Sequence, residues 1–253
     1  MRSPLHGLFR RIVFWAGDTR RLHKFPWVTW DVHQHRIDLD EVIRKAIPLL
    51  RIGDIILHRD EGYLSNLFIG GFMIHAGIYI GDGYVVEAIS DGVKRRHVAH
   101  ILYSDYAMIV RPRLGDEEER EAAITEAVEW ARKCEGCKYD ELFNFNVEDE
   151  REAIKYGQQK KVKLACTEVP YLCYHDYVDK LKIDRRRNVT VVTKALSWLG
   201  INTGEEVVDA DMYVKADFDV VWKSKDTTPE AARAHGCDEG YCSKLKSPVK
   251  TIG

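Results

Sequence analysis

Three residues of reactive types stand in unusual positions along the chain. His75 lies within an apolar run, Glu87 lies between two apolar residues, and Cys166 directly precedes a segment with helical spacing. A thiol is mostly protonated at neutral pH, so it needs a neighbouring imidazole or a helix N-terminus to form a thiolate. A carboxylate on the second imidazole nitrogen fixes the tautomer and orientation of the ring. Each residue alone is more typical of a structural role, but together they predict a nucleophile, a base and an orienting acid.

The turn between His75 and Glu87 decides whether their side chains can meet. Alternating apolar residues flank Gly81-Asp82-Gly83, which predicts a β-hairpin. With a three-residue loop, Ile80 pairs with Tyr84, and His75 lies diagonal to Glu87 on one face, within reach of a side-chain contact. A two-residue loop would place them on opposite faces. The predicted His–Glu pair therefore depends on the type of turn.

The elements that position these residues follow an α+β pattern around an antiparallel sheet. A helix begins after Asp38, with Glu41 as its capping-box partner, and ends at Pro48. A second helix covers residues 116–133, with acidic residues in its first turns and basic residues in its last, and a third follows Cys166. The predicted strands cover residues 53–58, 74–80, 84–89, 106–111, 189–192 and 219–222.

Composition excludes several classes of protein. The 253 residues are 45% hydrophobic and 31% charged, which is enough apolar material for a sizeable core and too much for a disordered chain. The formal net charge of −2 argues against a nucleic-acid partner, which would require a basic face. No run approaches the roughly 18 apolar residues of a transmembrane span, and Arg10 and Arg11 interrupt any secretory signal. We therefore expect a cytoplasmic protein.

The chain is expected to divide into three regions. Residues 1–37 form a basic, amphipathic extension, residues 38–225 the catalytic domain, and residues 226–253 a peripheral C-terminal tail rich in Gly, Pro, Ser and Lys. Residues 1–24 carry six Lys/Arg and one Asp, a net charge of +5. A helix docked on its own domain is the favoured interpretation of this stretch, with peripheral contact to a membrane surface as the alternative.

Four blocks of sequence together resemble a known enzyme family. They are Gly53-Asp-Ile-Ile-Leu, His75-Ala-Gly-Ile-Tyr-Ile-Gly-Asp-Gly-Tyr-Val-Val-Glu-Ala, Gly136-Cys-Lys-Tyr-Asp-Glu-Leu-Phe and Cys166-Thr-Glu. Their order is similar to that of the circularly permuted, NlpC-type papain-like cysteine hydrolases. The YiiX/YaeF-like bacterial branch is closest, and lecithin–retinol acyltransferase-type enzymes are more distant. The resemblance spans residues 50–222 and implies a permuted papain-like fold with the catalytic cysteine at a helix N-terminus.

The resemblance implies a role for each of the three reactive residues: Cys166 as nucleophile, His75 as base and Glu87 as orienting acid. It implies cleavage of an amide or ester through a thioester, on a lipid-like, N-acyl amino-acid or peptide substrate, with neither cofactor nor metal. Two alternatives stay open, an acyltransferase with the same three residues and a non-catalytic lipid- or peptide-binding module. Ala165 and Pro170 depart from the family pattern, which affects the predicted oxyanion site but not the three residues.

Further residues are expected to contact the substrate or to assist the chemistry. The amide of Cys166 is the expected oxyanion donor, and Glu168 is interpreted as a helix-start charge. An apolar acyl pocket would be lined by Tyr63, Phe68, Phe72 and Tyr139, unless these side chains belong to the core. The full set of expected substrate-binding residues is Asp54, Tyr63, Phe72, Tyr139 and Thr167.

The six cysteines are too few and too scattered for a disulfide framework. Cys134 and Cys137 would need Cys237 and Cys242 to complete a four-thiolate zinc site. The second pair is loosely spaced and far from the first in sequence, so surface thiols are the favoured interpretation and no metal is expected.

Overall fold

The computed structural model describes residues 11, 35–63, 66, 71–187 and 206–246. Three predictions therefore lie outside the described residues, namely the basic stretch over residues 1–24, the strand over residues 189–192 and the pocket position of Phe68. Within the described ranges the predicted α+β class is confirmed.

A six-stranded antiparallel sheet forms the centre of the molecule. The strands are β1 (Ile55–Arg59), β2 (His75–Gly81), β3 (Tyr84–Ile89), β4 (Gly92–His97), β5 (Tyr106–Pro112), β6 (Lys138–Tyr139), β7 (Lys163–Leu164), β8 (Arg186–Arg187), β9 (Glu206–Val207) and β10 (Phe218–Lys223). The order in the central sheet is β10-β5-β1-β2-β3-β4. Two short pairs, β6 with β7 and β8 with β9, lie outside this sheet.

Helices cover both faces of the sheet. The first, α1 (Leu39–Glu41), continues as a π turn over Val42–Ala46 and a 3₁₀ turn over Ile47–Leu49. The others are α2 (Ala99–Leu102), α3 (Glu117–Cys134), α4 (Val147–Lys155), α5 (Glu168–Cys173), α6 (Val178–Leu181), α7 (Ala210–Lys215), α8 (Pro229–Ala234) and α9 (Glu239–Lys246), with further 3₁₀ turns at Gln159–Lys161 and His175–Tyr177.

The central strand β1 is buried on both faces, as its unbroken apolar run requires. Ile55 and Leu57 point into the larger hydrophobic cluster, formed with α3, α5 and the C-terminal helices. Ile56 points the other way, into the smaller cluster formed with the first helical segment and α2. The reactive residues of β2 and β3 must therefore be accommodated inside a sheet with two covered faces.

The β2–β3 hairpin has the predicted register between His75 and Glu87, but its turn is shorter than the predicted one. Asp82 and Gly83 form a two-residue turn with φ values of 54° and 79°, so Gly81, not Ile80, pairs with Tyr84. A register shift beside Gly81 leaves Ile80 outside the pairing and restores the alignment farther along the strands. The predicted Ile80–Tyr84 pair is wrong, but the expected placement of His75 and Glu87 on one face is confirmed because the bulge compensates for the shorter loop.

Helix α1 begins where the sequence predicts, but its cap is simpler. The Asp38 carboxylate accepts a hydrogen bond from the Asp40 amide at 2.9 Å, whereas the Glu41 carboxylate accepts one from the Lys225 amide at 3.3 Å. The expected capping box is therefore not formed, because its second member bonds to a distant segment. In the π turn that follows, Val42 and Ala46 are buried and Ile43 is exposed.

The end of the chain contributes to the core. Tyr241, Cys242 and Leu245 lie on one face of α9 and are buried in the larger cluster together with Ala232 of α8. The Gly- and Lys-rich composition of this segment predicts a peripheral tail. It does not reveal the helical spacing of these buried residues. The predicted domain boundaries remain a prediction. Among the described residues, no helix combines the length and the apolarity needed to cross a lipid bilayer.

Candidate active site

His75 and Glu87 form a direct side-chain pair across the β2–β3 hairpin. His75 Nε2 lies 2.7 Å from Glu87 Oε2, and the Glu87 side chain is only 2% exposed. Gly77 lies directly opposite Glu87 and leaves the space that the carboxylate stem needs. A Cβ at position 77 would approach Val85 Cγ2 to 2.8 Å and Glu87 Cβ to 3.2 Å. The glycine therefore lets a glutamate fit between the two covered faces of the sheet.

Arg96 holds the other oxygen of the same carboxylate. Its Nη1 donates to Glu87 Oε1 at 3.0 Å from the neighbouring strand β4. Glu87 thus bonds a cation on one side and an imidazole on the other, which compensates for burying its charge. Sequence analysis does not identify Arg96, because the charged segment Gly92–His97 has no apolar alternation that would mark it as a strand.

Cys166 lies beside His75, in the turn that precedes α5. Its Sγ lies 3.7 Å from the carbonyl oxygen of Ile74, and the residue is 5% exposed. The neighbouring His75 ring and the backbone amides of Ala76 and Thr167 favour the thiolate over the thiol and so act to lower the pKa of Cys166. Since Nε2 of His75 is bonded to Glu87, Nδ1 is the ring nitrogen left for the sulfur.

The pKa shifts of Cys166, His75 and Glu87 have linked causes, because each residue interacts with its neighbour. Burial disfavours the protonated, charged form of His75, but the interactions of the ring with Cys166 and Glu87 outweigh burial and raise the pKa of His75 to about 10. Burial likewise opposes the thiolate, yet the His75 cation and the amide donors lower the pKa of Cys166. The hydrogen bond from His75 overcomes burial and lowers the pKa of Glu87 to about 2. These shifts favour a thiolate–imidazolium pair that is backed by a carboxylate.

A second histidine packs against the first. His58 pairs with His75 across β1 and β2, and their ring centroids lie 4.7 Å apart in an edge-to-face arrangement. Burial and the charge of His75 lower the pKa of His58 to about 4, so its ring is neutral at pH 7. A neutral ring at this position packs beside the imidazolium without repelling it. The sequence signal for His58 is its place at the end of a predicted strand, which alone points to no function.

The other residues expected to bind substrate fall into two groups. Thr167 and Tyr139 lie at the site, since the Thr167 amide donates to Cys166, while burial and the Cys166 charge raise the pKa of Tyr139 well above its ordinary value. Tyr63 is partly buried after β1, and its pocket role stays a prediction. The structure does not bring Asp54 and Phe72 to the site.

Asp54 and Phe72 are structural residues. Both carboxylate oxygens of Asp54 accept hydrogen bonds of 2.7 Å from Arg111, at the far end of β1 from His58. Phe72 is fully buried, and its ring packs edge-to-face against Tyr106 with centroids 5.0 Å apart. The expected substrate contacts are therefore corrected to a buried ion pair and to core packing. Burial of this kind depends on tertiary contacts that single residues in a sequence do not reveal.

Within the described part of the chain, one cluster brings together three side chains of the types that bind metal ions. It consists of His35, Asp60 and Asp105, whose ligand atoms lie within 4.8 Å of one another. His35 Nδ1 lies 3.3 Å from Asp60 Oδ1, and the Asp105 oxygens accept the amides of Arg36 and Glu61 at 3.0 and 2.7 Å. The cluster is thus already organised as a polar network of the protein.

The four cysteines considered for zinc do not form such a cluster in the described residues. Cys134 instead has Cys173 as its hydrogen-bonding neighbour, and the Cys242 thiol donates to the carbonyl of Pro229 at 3.5 Å. The members of the two pairs therefore have different contact partners.

Comparison with protein families gives one match. Residues 50–181 match the family described as permuted papain-like amidase enzyme, YaeF/YiiX, C92 family. The matched segment is just over half of the chain and contains His75, Glu87 and Cys166. Neither the comparison with curated proteins nor that with solved structures gives a significant match.

Proposed function

Since the chain belongs to the permuted papain-like amidase family of the YaeF/YiiX type (C92) and is a cysteine hydrolase, we propose that Cys166 is its nucleophile and hydrolyses an amide bond. His75 is the acid and base of the reaction, and Glu87 orients its ring. The observation that supports these roles is the position of His75, 2.7 Å from Glu87 on one side and beside the Cys166 sulfur on the other. This order of groups matches the requirements of thiol catalysis.

The reaction proceeds in two steps. The Cys166 thiolate attacks the carbonyl carbon, and the His75 imidazolium gives its proton to the leaving amine as the carbon–nitrogen bond breaks. The resulting thioester is hydrolysed by water, whose proton passes to the now neutral His75 while the thiolate leaves. The backbone N–H of Cys166 is the proposed donor to the developing oxyanion. Each step leaves Glu87 ionised and paired with the ring.

Selective alkylation tests the nucleophile without any knowledge of the substrate. Cys237 is the matched control, because it is more exposed than Cys166, while burial and the charge of Asp211 raise the pKa of its thiol to about 12. At pH 7, limiting iodoacetamide should label Cys166 before Cys237, as read by peptide mass spectrometry. His75→Ala should slow labelling of Cys166 by about tenfold or more. Faster labelling of Cys237, or no effect of His75→Ala, would refute the proposal.

The acyl group to be cleaved is proposed from the resemblance alone: a lipid-like, N-acyl amino-acid or peptide amide. A panel of acyl p-nitroanilides with these three kinds of acyl group, with and without a primary amine in excess, tests both substrate class and reaction type. Release of free acid in both conditions supports hydrolysis. Acylated amine as the main product would indicate acyl transfer instead. Cys166→Ala is the control for background turnover.

A further inference from the structure

Glu168, two residues after the proposed nucleophile, is fully buried. Its Oε2 accepts a hydrogen bond from the Ala165 amide at 2.6 Å, and its own amide donates to the Ala165 carbonyl at 3.1 Å. These two bonds close a ring around Cys166 and Thr167. Glu168 is the first residue of α5, as the helix-start interpretation predicts, but its side chain is buried and bonded to this turn.

The same turn is held from the opposite side by α7. The hydroxyl of Tyr213, itself fully buried, donates to the carbonyl oxygen of Thr167 at 2.7 Å. The Ala165 amide and the Thr167 carbonyl, which lie on either side of Cys166 in the chain, are thus both held by buried side chains. Between these two groups lies the Thr167 amide, whose interaction with the sulfur lowers the pKa of Cys166. A small rotation of the turn would move both the sulfur and this donor away from His75.

On the premise that Cys166 is the nucleophile, we propose that Glu168 is a positioning residue that acts as a neutral carboxylic acid. Its carbonyl-type oxygen holds the Ala165 amide, so that the turn presents Cys166 to His75. The group contributes shape and one hydrogen-bond acceptor, and it takes no part in proton transfer.

The surroundings of Glu168 favour the neutral form. Its second oxygen, Oε1, is buried and bonded to no group in the described residues. Burial and the nearby charges of Asp140, Cys166 and Glu150 raise the pKa of Glu168 well above its ordinary value. The lysine of β7, Lys163, donates to Glu141 at 3.3 Å. An ionised Glu168 would also repel the thiolate that the site requires.

Two substitutions distinguish the effect of the Glu168 hydrogen-bond acceptor from the effect of a charge at this position. Glu168→Gln keeps the acceptor for the Ala165 amide and carries no charge, so it should match the wild type. Glu168→Ala removes the acceptor and leaves the turn loose. The matched control is Glu118→Gln, because Glu118 is an exposed glutamate in the first turn of α3. For each full-length variant, the rate of Cys166 alkylation by iodoacetamide is measured against pH, with circular dichroism as the check on folding.

Glu168→Gln should alkylate within about twofold of the wild type with an unchanged pH midpoint, whereas Glu168→Ala should be slower by about tenfold or more. A midpoint that shifts to lower pH in Glu168→Gln would show that the wild-type group is ionised and would overturn the proposal. So would wild-type behaviour of a folded Glu168→Ala. If Glu168→Ala does not fold, the midpoint in Glu168→Gln still decides. If His75→Ala does not slow the alkylation of Cys166, in contrast, the proposal that Cys166 is the nucleophile is refuted.

Discussion

Nη1 of Arg96 lies 3.0 Å from Oε1 of Glu87, so the carboxylate that orients His75 is itself oriented by a residue from the next strand. The contact completes a line of four side chains, Arg96, Glu87, His75 and Cys166, that crosses three strands and ends in the turn before α5. Each member limits the rotation of the next. The outermost member has the most solvent contact and is the easiest to change without disturbing the core.

Arg96→Gln should therefore lower kcat/KM by about three- to tenfold with little loss of stability, because Glu87 keeps His75 but loses its second anchor. The measurement is steady-state hydrolysis of the best p-nitroanilide substrate, with thermal unfolding in parallel. Arg95→Gln is the control, since Arg95 pairs with Glu135 on the exterior at 3.2 Å. Equal effects of the two substitutions would argue against an orienting role for Arg96.

Gly77→Ala should damage both stability and activity. The added Cβ meets Val85 Cγ2 at 2.8 Å and Glu87 Cβ at 3.2 Å, inside a covered sheet face with no room to relax. We expect a loss of about 1–3 kcal/mol in urea-unfolding free energy, typical of overpacking. Gly115→Ala is the control, because its Cβ would meet the end of the Glu119 side chain, which can move. An unchanged unfolding midpoint in Gly77→Ala would contradict the steric argument.

The His75–Glu87 pair should stabilise the fold most between pH 4.5 and 6.5. Glu87 falls from an ordinary pKa of 4.5 to about 2, so its contribution is present above pH 4.5 and is lost as the pH falls toward 2. His75 rises from 6.5 to about 10, so its contribution is complete below pH 6.5 and is lost as the pH rises toward 10. Both contributions reach their full size only between pH 4.5 and pH 6.5.

Glu87→Gln should accordingly cost more unfolding free energy at pH 5.5 than at pH 3.5. Below pH 4.5 the Glu87 carboxylate takes up a proton in the unfolded chain, which reduces the stability that the paired, ionised group contributes. Urea denaturation at the two pH values measures the difference, with Glu118→Gln as the exposed reference. A cost for Glu87→Gln that is equal at both pH values would mean that the carboxylate contributes packing alone.

Asp211→Asn should loosen the entry to β2. The Asp211 oxygens accept the amides of Phe72 and Met73 at 2.6 and 2.9 Å, and an asparagine can accept only one of them. A buried amide without its acceptor costs about 1–3 kcal/mol. Thermal unfolding and the alkylation rate of Cys166 should both report the change, compared with Asp184→Asn at an exposed position. Unaltered values in both assays would show that water replaces the carboxylate.

The sequence predicts this site where the contacts are local. His75 and Glu87 are twelve residues apart on one hairpin, so strand alternation and turn chemistry suffice to pair them. Arg96 is missed because its strand carries charges instead of an apolar alternation, and the inward orientation of Glu168 is missed because a first-turn glutamate usually faces solvent. Phe72 is misassigned because an aromatic side chain suits a pocket and a core equally well.

The same difference in sequence separation has a kinetic consequence. The base and its acid are encoded by one short hairpin, whereas the thiol arrives from a turn ninety-two residues beyond the Ile74 carbonyl that it contacts. Closing that long loop is entropically costly, so the hairpin can form well before the thiol docks. We expect the enhanced alkylation of Cys166 to be among the last signals recovered on refolding, after the circular dichroism of the sheet. A chain still being synthesised would then expose an ordinary, unactivated cysteine to the cell.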